Sequence, residues 1–193
     1  MRTWNTMLGL VLAAGLIACG GAAEDEGAME ADTTAMEETT TETTTGALTT
    51  PGWMLVEAAN QTVTLEIAAG SEAVNNYWNF NGLYAGNGAI TVPQGYTVTI
   101  NFTNADPAQP HSVGSGEGMD AYPAMFESPQ PAFAGAMSPD PSTGTAPGGT
   151  ATITFTADTA GEYAMICYVP GHAVAGMVIP FNVSADGSAG VSQ

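Results

Sequence analysis

The stretch Cys167-Tyr-Val-Pro-Gly-His172-Ala-Val-Ala-Gly-Met177 sets a thiol, an imidazole and a thioether five residues apart. Two sulfurs and a nitrogen on one short loop suit a metal that changes oxidation state. Copper in electron transfer uses two His nitrogens, one Cys sulfur and a weak Met. That set serves Cu(I) and Cu(II) passably, so little rearranges when an electron moves. One more nitrogen is needed, and the sequence holds one other histidine, His111, just after a strand-like run. Of the two cysteines, Cys19 ends an apolar leader, so Cys167 stands alone in the body of the chain. No disulfide within the domain is possible, and metal ligation is one explanation of a lone thiol in an exported protein. Each residue has a duller reading: Cys167 as a small buried hydrophobe, Met177 as core filler among ten methionines, His111 and His172 as loop surface. The joint pattern, in which every histidine and the only body cysteine serve one site, favours the metal.

The elements that must position these groups read as β. Residues 62–67 alternate, with Val63, Leu65 and Ile67 on one face and Thr62, Thr64 and Glu66 on the other. Residues 77–82 are aromatic and end at a turn signal. Residues 89–92 form a short strand stopped by Pro93. Residues 96–103 are the clearest strand, with Tyr96, Val98, Ile100 and Phe102 sharing a face. Residues 104–149 lack periodicity and read as long loops, with a helical turn expected near 121–126. Strands resume at 150–156 and 162–167, where Tyr163, Met165 and Cys167 share a face. The last runs over 177–183, with Met177, Ile179, Phe181 and Val183 together. Pro180 interrupts it, which suggests an edge position or a bulge. About eight short strands between turn signals predict an all-β, two-sheet Greek-key β-sandwich. A structureless excursion as long as 104–149 is uncommon, so it is expected to be functional or to carry structure of its own. The parity places Cys167 and Met177 inward at one end of the sandwich. Pro170-Gly171 suits the centre of a type II turn that would hold His172 between them.

Around this domain, predicted over 53–185, lie appendages. Residues 1–18 read as an export signal too short to span a bilayer. Leu16-Ile17-Ala18-Cys19 resembles a lipobox, which implies cleavage before Cys19 and a lipid anchor on its sulfur. The alternative is a plain signal peptide cut nearby, with Cys19 discarded or unmodified. The remainder of 19–52 is rich in Thr, Glu, Gly and Ala, and reads as a disordered acidic tether. Residues 186–193 read as a flexible tail. Nineteen acidic residues stand against one basic residue, Arg2, for a net charge of −18. Such a surface excludes nucleic-acid binding, which needs cations. It implies a basic partner, or a salty or acidic medium.

The loop with Val-Pro-Gly-His inside Cys-x₄-His-x₄-Met resembles the sulfocyanin and rusticyanin branch of the cupredoxins. Sulfocyanins are the nearer resemblance, through Asn79-Phe-Asn-Gly82, the strand at 96–103, Pro110-His111-Ser112, Pro131-Ala-Phe-Ala-Gly135 and the 167–177 loop. The resemblance covers about residues 75–183. It implies a cupredoxin fold and one type 1 copper held by His111, Cys167, His172 and Met177. It further implies electron donation in an extracytoplasmic respiratory chain, to a cytochrome c or a haem-copper oxidase. In cupredoxins the histidine of the Cys loop has an exposed ring edge, so His172 is the expected electron port, with Pro170, Ala173, Val174 and Ala175 as an apolar docking patch. Family members are commonly anchored by a hydrophobic helix, so a lipid on Cys19 departs from them. Ser112 stands where plastocyanin-like members carry an Asn whose hydrogen bonds tie the ligand loops together. A monomer in the periplasm or at the cell surface is expected. The rival reading is a copper storage or delivery lipoprotein, suggested by Met119, Met125, Met137 and Met165. An oxidase or nitrite reductase would need a further copper site, and no histidine remains to build one.

Overall fold

The computed structural model describes residues 47–193. The expected export signal, the expected lipid site at Cys19 and the expected tether up to residue 46 lie outside the described residues. Nine strands are present among the described residues: β1 Met54–Glu57, β2 Thr62–Ala69, β3 Ala89–Pro93, β4 Thr97–Asn104, β5 Gly114–Glu117, β6 Thr150–Thr156, β7 Gly161–Ile166, β8 Val178–Ser184 and β9 Gly190–Ser192. They form the expected two sheets, ordered β1-β2-β4-β6 and β5-β7-β8-β3-β9. The alternation read from the sequence is what closes them on each other. Val63, Leu65, Ile67, Val98, Ile100, Phe102, Ile153 and Phe155 face inward from the first sheet. Ile90, Val92, Met165, Ile179, Phe181 and Val183 meet them from the second. Burying such side chains contributes about 1.5–3 kcal/mol each.

Several local expectations are corrected. Residues 77–82 form no strand. A 3₁₀ turn, Val74–Tyr77, precedes them, with Asn75, Asn76 and Tyr77 at φ of 46°, 56° and 65°. Asn tolerates this region because its short side chain bonds locally. Buried Asn79 donates to the carbonyls of Glu72 and Val74, and Asn81 accepts from the Ala68 N–H at 2.7 Å. Side-chain amides thus replace a strand ladder. No helical turn forms at 121–126. Pro180 is neither on an edge strand nor at a bulge. β8 is third of five strands, but the parallel β3 ladder begins one residue later, at Ile90 opposite Phe181. The missing N–H falls at a ladder end.

The tail expectation is also corrected. Gly190–Ser192 pairs with β3, and Val191 exchanges backbone hydrogen bonds with Thr49 at 2.9 and 2.7 Å. The folded unit therefore begins before 53 and continues beyond 185. The excursion carries structure as well. It contains β5, and its segment 132–138 runs alongside, through Ala132 N–H to Ser115 O and Ser138 N–H to Val113 O. Tyr122, Phe126 and Met137 cover a second apolar cluster of Ala164, Ile166, Tyr168 and Ala173. β7 is thereby buried on both faces over Ala164, Met165 and Ile166.

Candidate metal centre

β7 ends at Ile166 and β8 begins at Val178, so Cys167 and Met177 sit one residue beyond the strands. Both are fully buried in the inter-sheet core. The Cys167 N–H donates to Met177 O at 3.1 Å, and the Met177 N–H to His172 O at 2.9 Å. The predicted turn forms: the His172 N–H donates to Val169 O at 3.1 Å, and Gly171 takes φ of 87°, open to glycine without strain. The excursion braces it, since Ala124 O accepts from the Gly171 N–H at 2.7 Å. The 75–85 segment braces the far side. Asn75 Nδ2 donates to Ala175 O, and the Ala85 N–H to Gly176 O.

His111 arrives from the loop after β4. Its N–H and C=O exchange hydrogen bonds with Thr145 at 3.1 and 2.7 Å. His111 and His172 turn Nδ1 toward each other at 3.1 Å. Cys167 Sγ lies 3.5 Å from His172 Nδ1 and 3.9 Å from His111 Nδ1. All three donors lie within 4.8 Å of one another and are buried. A first-row metal sits about 2.0–2.3 Å from imidazole nitrogen and thiolate sulfur, which sets such donors roughly 3–4 Å apart. The spacing therefore fits a single ion.

Protonation states fit too. Burial pushes the His111 ring below its usual pKa against the pull of Asp106, and burial aided by His111 takes His172 down to about 4. Both rings are neutral near pH 7 and offer lone pairs. Burial pushes the Cys167 thiol up, against hydrogen bonds from Ser112 and Val169. A bound cation would draw off that proton, as metals do at thiols.

Ser112 supplies the tie expected of Asn. Its Oγ accepts from the Tyr168 N–H at 2.9 Å and lies 3.7 Å from Cys167 Sγ, and its N–H donates to Sγ at 3.4 Å. The His111 loop and the Cys167 loop are thus joined through one hydroxyl.

The electron-port expectation is modified. His172 is only 4% exposed, because the Trp78 indole stacks on it with centroids 4.5 Å apart and planes 18° from parallel. Ala173, expected on the docking patch, turns inward into the second cluster. Pro170, Val174 and Ala175 are exposed as expected.

Two residues of the site were missed from sequence. Trp78 lies in the aromatic 77–82 run, whose composition gives no sign that the indole caps a ligand. Asp106 accepts from His111 Nε2 at 2.9 Å. The signal was present in Asn104-Ala-Asp106-Pro-Ala-Gln109-Pro-His111, where an Asp just before a proline turn commonly bonds the backbone two residues on.

Comparison with known proteins places the chain beside several blue-copper-type sequences and folds. A family model described as the sulfocyanin (SoxE) domain matches residues 51–126, and one described as multicopper oxidase matches residues 136–187. Sulfocyanin from Sulfolobus acidocaldarius is 30% identical over 128 residues, 62% of each chain, so this chain spans about 62% of the length of that relative. A variant rusticyanin superposes with a TM-score of 0.52 at 21% identity, over 72% of this chain and 88% of the other, a likeness of fold. Reduced auracyanin from Roseiflexus castenholzii aligns at 28% identity over 63% of this chain and 96% of its own, with a TM-score of 0.44. Two sheets closed over a buried His-Cys-His cluster give the chain a cupredoxin-like fold, and over residues 51–126 its sequence is similar to the sulfocyanins.

Proposed function

We propose that this protein is a one-electron carrier, working outside the cytoplasm and held to a membrane by a lipid on Cys19. The observation that carries the reading is the buried convergence of two neutral imidazoles and one thiol within 4.8 Å. His111 Nδ1, Cys167 Sγ and His172 Nδ1 would hold a type 1 copper, with the Met177 thioether as weak fourth donor. Copper there supplies a one-electron couple whose two states accept the same donors. The chain's part is rigidity and dryness. His111, His172 and Met177 each make two backbone hydrogen bonds and Cys167 makes one, to Met177 O, and Val113, Phe133 and Ala136 belong to the same apolar cluster as Cys167 and Met177.

The centre suits an electron-transfer protein rather than a copper oxidase or nitrite reductase, since both histidines of the sequence are spent on it and none remains for a further copper site. Electrons would enter or leave over His172, through a face formed by Trp78, Pro170, Val174 and Ala175. No Lys or Arg follows Arg2, so the partner that fits is a redox protein with a basic face, such as a cytochrome c or a subunit of a haem-copper oxidase. The protein would act as a monomer. Storage of copper has less support. Met119 and Met125 are exposed, Met137 packs on the second cluster and Met165 lies in the core, so they share no site.

The test is a visible and EPR spectrum of the copper-loaded protein. One copper per chain, an intense thiolate-to-copper band and a narrow hyperfine splitting are expected, and Cys167→Ser should remove the band. Several labile coppers per chain, or a weak band with wide splitting, would overturn the reading. Electron exchange with a basic cytochrome should slow as salt is added; a rate indifferent to salt would remove the steering argument.

A further inference from the structure

Asp106 is 3% exposed, yet it holds a carboxylate against a candidate ligand. Its Oδ1 accepts from the Ala108 N–H at 2.7 Å and the Gln109 N–H at 3.0 Å. Its Oδ2 accepts from His111 Nε2 at 2.9 Å. Its own N–H donates to Asn104 Oδ1 at 3.0 Å, and Asn104 Nδ2 reaches Gln109 O and Thr145 O, the same Thr145 that pairs with His111. Gly70 completes the cradle. At φ of 65°, its backbone passes so close that an added Cβ would lie 2.6 Å from Asp106 Cβ.

We infer that Asp106 is a positioning residue for the metal centre: it fixes the tautomer and aim of His111 and strengthens that ring as a donor to the oxidised ion. The inference rests on the copper reading above. A carboxylate is acceptor-only. Nε2 facing it must therefore carry the proton, which leaves the Nδ1 lone pair pointing at Cys167 and His172. A charge-assisted bond of this kind is roughly twice as strong as a neutral one. It also feeds electron density into the ring, and that favours Cu(II) over Cu(I).

Asp106→Asn tests this sharply. Two backbone N–H groups demand an acceptor at the Oδ1 position, so the amide oxygen settles there and the NH₂ turns to His111. A donor facing Nε2 selects the opposite tautomer, with the proton on Nδ1. In metal-free full-length protein, the nitrogen chemical shifts of His111 should change from the Nε2–H to the Nδ1–H pattern. Cu(II) affinity should fall about 10–100-fold, the range for loss of such a partner. Each tenfold by which Cu(II) loses more than Cu(I) raises the reduction potential by about 59 mV. An Nε2–H pattern retained in the variant, with Cu(II) affinity within about twofold of native, would overturn the inference. Should the Asn variant fail to fold, Asp106→Ala removes the acceptor without adding a donor. A mixture of tautomers then supports the assignment, and the single native pattern refutes it. The tautomer is read without copper, so a native protein lacking the intense band would sink the copper reading alone.

Discussion

His111 is gripped at the far edge of its ring, by a buried carboxylate and a two-bond pairing with Thr145. His172 is gripped on its face, by the stacked Trp78 indole, and sits on a tight turn whose outer residues are exposed. The two rings meet the same sulfur at 3.9 and 3.5 Å, but one is fixed by a directional charged hydrogen bond and the other by apolar contact. The comparison assigns different work to each. A carboxylate bond sets orientation and donor strength. A stacked indole excludes water and, on the proposed reading, would leave a π surface through which a partner could couple.

The sharpest way to break this contrast is to remove each ring in turn. Copper-loaded His172→Gly should lose its colour and regain it with added imidazole, because the vacated space adjoins exposed Pro170 and Val174. His111→Gly should stay without the band at the same imidazole concentration, since that position is fully buried. Equal rescue of both, read by absorption, would erase the distinction. Ser112→Ala probes the hydroxyl joining the two loops. It strands the buried Tyr168 N–H, at about 1–3 kcal/mol in urea unfolding of the metal-free protein. It also removes a hydroxyl beside Cys167 Sγ, so the reduction potential should fall. The smallest stability effect belongs to Val174→Lys, within about 0.5 kcal/mol at an exposed site. It should nevertheless slow electron exchange with a basic partner in stopped flow, by placing like charge on the contact face. An unchanged rate would move that face away from His172.

The same two regions differ in how far the sequence disclosed them. The 167–177 loop was legible because its logic is local: donor spacing, strand parity and a Pro-Gly turn lie within eleven consecutive residues. The His111 identity was legible by elimination, but its support was not. Asp106, Thr145 and Gly70 come together only through tertiary packing, and no local periodicity marks them. Trp78 was hidden for a related reason. Three residues with positive φ break the strand pattern and carry the indole onto the ligand loop, and aromatic β-propensity reads such a run as a strand. The alternating strands of both sheets were legible where one face is buried. β5 was not, because Gly114-Ser-Gly-Glu117 has too little side chain to alternate. β9 was not, because three residues are too short for a pattern.

That last short strand has a consequence for the molecule's behaviour in company. Without it, the backbone groups of Ala89–Thr91 that face away from β8 would form an open border of the five-stranded sheet, ready to recruit a strand from another copy. Gly190–Ser192, clasped in turn by Thr49, act as a hem that shields this border from pairing with other copies.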